Sequence, residues 1–143
     1  MPEVHLVVGV CLLAANLVAG VWGGLDWLQR RPTPGFWYAL RIAQATVILQ
    51  ALLGLLLAFT GHDASELHYL YGGLPLVVSL LAELIRIGSA QQEFGDLDIR
   101  ALPEERQTEI ALAIVRRDTG IMAVASLVIF FLALRAAGTS SAF

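Results

Sequence analysis

Residues Val4–Leu28 read VHLVVGVCLLAANLVAGVWGGLDWL, with no Asp, Glu, Lys or Arg before Asp26. Roughly 20 mostly apolar residues cross the hydrocarbon core of a bilayer as a helix, so this stretch is long enough to span by itself. Three later blocks meet or approach the same requirement: Phe36–Thr60, Leu67–Ile87 and Gly120–Ala137. The chain of 143 residues is 57% hydrophobic and 15% charged, where soluble domains run near about 25% charged. Its mean hydropathy is +0.72. These blocks predict an all-α fold: an integral membrane four-helix bundle, one domain over residues 1–143, with a polar connector over 91–118.

Charge placement sets the expected orientation. All nine basic residues are arginine. Arg30, Arg31, Arg41, Arg86, Arg100, Arg106, Arg116 and Arg117 lie in or beside the first and third loops, and Arg135 alone lies at the other end. The positive-inside rule makes the arginine-rich side cytoplasmic. Both termini and the Gly61–Glu66 loop are then outside, in a plasma (inner) membrane protein that passes four times. The only charge in Met1–Val4 is Glu3, which is not the basic start of a signal peptide; the first span is expected to be retained. Single Cys11 excludes an internal disulfide.

The breaks have local causes. Pro32 and Pro34 end the first helical run, and Trp22, Trp27, Phe36, Trp37 and Tyr38 form an aromatic belt around that turn. Pro75 predicts a kink in the third span. Pro103-Glu104-Glu105 reads as a helix start, with acids at the positive end of the dipole. The segment that follows is expected to lie on the cytoplasmic interface as a short helix that runs into the fourth span. Gly20 and Gly24 form a GxxxG pair that predicts close helix packing. Asn16, Gln44 and Gln50 are expected to bond across helices, and Glu83 and Arg86 to pair structurally.

All three histidines map to the outer end. His5 is followed by Gly9 and Asn16 at offsets of 4 and 11, and His68 by Gly72 and Ser79 at the same offsets. Those offsets share one helix face. The first and third helices run in the same direction, so both present histidine, glycine and a small polar residue inward at matching depth. Haem iron takes one axial ligand from each face of its ring, often histidine, and a glycine one turn away clears space for the ring. His5 and His68 are therefore the candidate ligands of a haem b, Gly9 and Gly72 its clearance, and Arg135 a partner for a propionate. Electron transfer, or carrying haem within a larger complex, would follow. A second metal reading places zinc or copper on His62, Asp63 and Glu66 with the other outer-face groups. A third is a non-catalytic scaffold or accessory subunit.

The stretch Leu67-His68-Tyr69-Leu70-Tyr71-Gly72 resembles the histidine-bearing helix starts of membrane haem-b four-helix bundles, in particular one half of a haem A synthase. The resemblance covers mainly the third helix and implies haem ligation by His68, and by His5 opposite it. The chain has one bundle where that family has two, and no second matched histidine pair. The expectation is a protein that is not an enzyme on its own. Its partners would be the lipid bilayer, a membrane redox protein or larger membrane complex, and a further copy of itself. No glycine loop for phosphate, no nucleophile elbow and no nucleic-acid patch is present.

Overall fold

The structure is a computed structural model that describes residues 2–62, 64–94 and 98–139. Four helices follow one another: α1 (Pro2–Gln29), α2 (Pro34–Phe59), α3 (Glu66–Phe94) and, after a 3₁₀ turn at Ile99–Ala101, α4 (Glu104–Ala137). All four are long and apolar enough to cross a membrane. The described residues hold no strand. The helices stand in a ring in chain order. α4 packs along both α1 and α3, α1 along α2, and the α2–α3 seam is the loosest of the four.

Small residues bring the backbones together. A Cβ on Gly20 would lie 2.6 Å from Leu127 of α4, so α1 and α4 approach closely there, as GxxxG-type contacts do. The second glycine of the predicted pair behaves differently: nothing lies within 4 Å of a Cβ on Gly24. Gly23 takes the inward position, three residues from Gly20 on the same face, with the Phe36 ring laid against it. Trp22 rests on Gly35 and Trp27 on Gly120. These aromatic rings on glycines lock the arginine-bearing end of the bundle.

The α1–α2 turn is held by side chains. Arg30 adopts φ 56°, and the Arg31 N–H donates to the Asp26 carbonyl at 3.0 Å, the closure of a helix ending in a left-handed residue. The buried Asp26 carboxylate accepts from the Thr33 N–H at 3.0 Å and the Thr33 hydroxyl at 2.6 Å. Trp22 Nε1 donates to that same hydroxyl at 3.1 Å. Farther along, Phe36, Leu40, Ala82, Met122 and Ala125 form one apolar cluster, and Leu12, Val47 and Ile129 a second toward the histidine end.

The helix expected to run into the fourth span does so. Its residues are the first part of α4, 34 residues without a break, because no glycine or proline stands between Glu104 and Arg117 to interrupt it. At 1.5 Å per residue α4 is about 50 Å long, more than a bilayer core. α3 stays helical through Pro75; the missing N–H costs one bond, to Tyr71, without ending the helix. One expectation needs correction: Asn16 is fully buried but donates to Leu12 O of its own helix at 3.0 Å rather than across helices.

Candidate functional site

At the end of the bundle that carries both histidine-bearing helix starts, His5 and His68 face each other. Their ring centroids are 6.2 Å apart and their planes differ by 56°. With metal–nitrogen bonds of about 2 Å, two imidazoles on opposite sides of one ion would place their centroids roughly 6 Å apart.

His68 is anchored from α4. Its Nδ1 donates to the Ala136 carbonyl at 3.1 Å, which fixes the tautomer and leaves Nε2 with its lone pair. Backbone support comes from Ser65, whose Oγ accepts from the His68 N–H at 3.2 Å and donates to the Thr139 carbonyl at 3.1 Å. His5 is held from α2. Gln50 Nε2 lies 3.1 Å from His5 Nε2, and His5 Nδ1 and Gln50 Oε1 are buried with no partner among the described residues. A buried polar atom without a partner costs about 1–3 kcal/mol, and two of them together mark a place where a ligand would relieve the cost.

The glycines divide their roles differently from the sequence expectation. The space beside Gly9 is filled, since a Cβ there would stand 3.1 Å from Gln50 Nε2. Gly54 of α2 is the residue that makes room for His5, its Cβ position lying 3.3 Å from His5 Cε1. Gly72 and its neighbour Gly73 have nothing within 4 Å of a Cβ. Asn16 and Ser79, the last members of the two matched spacings, are both buried, so the shared offsets do point one face of each helix inward. Arg135 stands at this end over the Tyr71 ring, 5.7 Å from its centroid.

His62 is exposed and sits 3.3 Å from the Thr60 hydroxyl. Glu66 is exposed, and Asp63 lies outside the described residues. Among the described residues no group of three His, Cys, Asp or Glu side chains is placed to hold a metal. Gln50, expected to bond across helices, does so to His5, but neither it nor Gly54 was assigned to the site.

The opposite end holds a different polar group. Glu83 of α3 accepts from Arg41 at 2.7 Å, Gln44 at 2.8 Å and Arg86 at 2.9 Å. Arg86 also reaches Asp118 of α4 at 3.8 Å and lies 5.9 Å above the Trp37 ring. Arg117 Nη2 donates to Asp118 at 2.9 Å. Every carboxylate here has its cation, as a clasp between helices requires.

The fold and site thus define a helical bundle with four membrane-length helices and a two-histidine layer near one end. No protein-family model matches the chain, and no curated protein or solved structure matches it either.

Proposed function

We propose that the chain is a membrane b-type haem-binding protein, with His5 and His68 as the axial pair near the outer surface. The observation that carries this reading is the 6.2 Å separation of the two rings, reached by residues on two different helices. A site with two protein ligands is incomplete for zinc, which takes three or four. It is sufficient for haem, whose ring supplies the remaining ligands. The residues present fit the axial positions and one flank: His68 is oriented through Ala136, Gly72 and Gly73 face open space, and the α2–α3 seam is the loosest. On the other flank the Gln50 side chain fills the space beside Gly9 and engages His5 Nε2, so it would have to swing aside to admit the ring.

Haem b bound there supplies a one-electron couple. The chain's own part is to orient both imidazoles, to exclude water through the surrounding apolar residues, and to offer Arg135 to a carboxylate at the same end. The arginine-rich end lies on the cytoplasmic side, both termini are outside, and the first turns of α4 meet the inner interface. The protein passes electrons to a membrane partner or carries haem for a larger complex, and is not an enzyme on its own.

The test is the absorbance spectrum of purified protein after haem reconstitution. A Soret band with split visible bands on reduction is expected for the parent. His5→Ala and His68→Ala should each lose the six-coordinate spectrum, while His62→Ala keeps it. A colourless parent, or a six-coordinate spectrum in both variants, overturns the reading. The colourless result leaves a scaffold or accessory subunit.

A further inference from the structure

A groove of ≈ 850 Å³ lies at the arginine end, between α3 and α4. Val78, Leu81, Val124 and Val128 line it toward the middle of the bundle, and Trp27, Arg116 and Arg117 line it where the helices leave the apolar region. Along α4 it extends from Ala113 to Val128, about four turns. Leu81, Val124 and Val128 are exposed, so the groove opens on the face that a bilayer would cover.

The two arginines at its end are not equivalent. Arg117 is engaged by Asp118. Arg116 uses only its Nε, on the Trp27 carbonyl at 3.4 Å, and forms no ion pair among the described residues. An uncompensated guanidinium therefore stands beside an interfacial tryptophan, at the end of an apolar trough. Basic pockets between membrane helices on the cytoplasmic side take anionic headgroups, and tryptophan rings sit at headgroup level. The geometry points to one occupant: an anionic phospholipid of the arginine-side leaflet. One acyl chain lies on the valine and leucine floor and the phosphate meets Arg116. A zwitterionic lipid brings the same chain, but its own cation competes for the phosphate.

This inference uses no residue of the histidine site and stands or falls separately from haem. The full-length protein in detergent is titrated with phosphatidylglycerol and with phosphatidylcholine. Binding is followed by native mass spectrometry and by thermal melting. The parent should retain phosphatidylglycerol in preference and melt higher with it. Arg116→Gln should bind phosphatidylglycerol roughly fivefold more weakly, the effect expected of one arginine at a charged leaflet, with phosphatidylcholine unchanged. Val124→Phe, which fills the floor from an exposed position, should weaken both. Equal binding of the two lipids by the parent overturns the proposal, as does full phosphatidylglycerol preference in Arg116→Gln. A dimer that Val124→Phe dissociates, with no lipid preference, would make a second copy the occupant and overturn it too. Should Val124→Phe fail to fold, the surface substitution Arg116→Gln still decides.

Discussion

The two ends of the bundle treat their polar side chains in opposite ways. At the arginine end Glu83 collects three donors, Asp118 two cations and Asp26 two donors from Thr33. These bonds join α2 to α3, α3 to α4, and α1 to the turn after it. At the histidine end His5 and Gln50 hydrogen-bond to each other, and two of their buried atoms are left unpaired among the described residues. One end is satisfied; the other leaves polar atoms without partners. A bundle clamped at one end can tolerate an unsatisfied layer at the other, and that layer is where a ligand gains most.

The contrast can be broken most severely at the glycines of the clamped end. Gly120→Leu should prevent the bundle from assembling, because a Cβ alone would stand 2.8 Å from Trp27 Nε1; loss of the cooperative melting transition in detergent is the measurement. Glu83→Ala should come next. It leaves Arg41 with Gln44 alone and Arg86 with the more distant Asp118, and removing one partner of a buried ionic cluster costs about 3–5 kcal/mol. Since Glu83 and Arg86 are partly exposed, the lower part of that range or below is expected in chemical unfolding. At the open end His5→Leu should change stability by less than about 1 kcal/mol, because it removes an unsatisfied nitrogen along with a bond. A large loss there would mean that the layer is structural, and the contrast would fail. Gly24→Ala should have the smallest effect, within about 0.5 kcal/mol, since its Cβ meets nothing.

The spans were legible because hydropathy alone defines them. The block Phe36–Thr60 overruns α2 by one residue. Beyond the apolar blocks that signal stops: α3 continues to Phe94 and α4 begins at Glu104, where helical continuity depends on the absence of breakers rather than on apolar content. The meeting of His5 with His68 was legible because matched offsets on parallel helices fix depth and face. The partners of those histidines were not. Gln50, Gly54 and the Ala136 carbonyl come from the two antiparallel helices, and no spacing within α1 or α3 reports on them. The GxxxG pattern found Gly20 but chose Gly24 over Gly23. The motif counts four residues, and the contact face of α1 includes the position at three.

The ring arrangement has a consequence for biosynthesis. The most extensive contacts of α1 are with α4, so α1 finds its main neighbour only after α2 and α3 have been made. The Asp26–Thr33–Trp22 clasp ties α1 to the start of α2, but Gly20 meets no Leu127 until α4 has been made. Contacts this distant along the chain form slowly. During that interval the Gly20 face of α1 stands uncovered, and any assembly factor or quality-control protease that acts on this protein would meet that surface first.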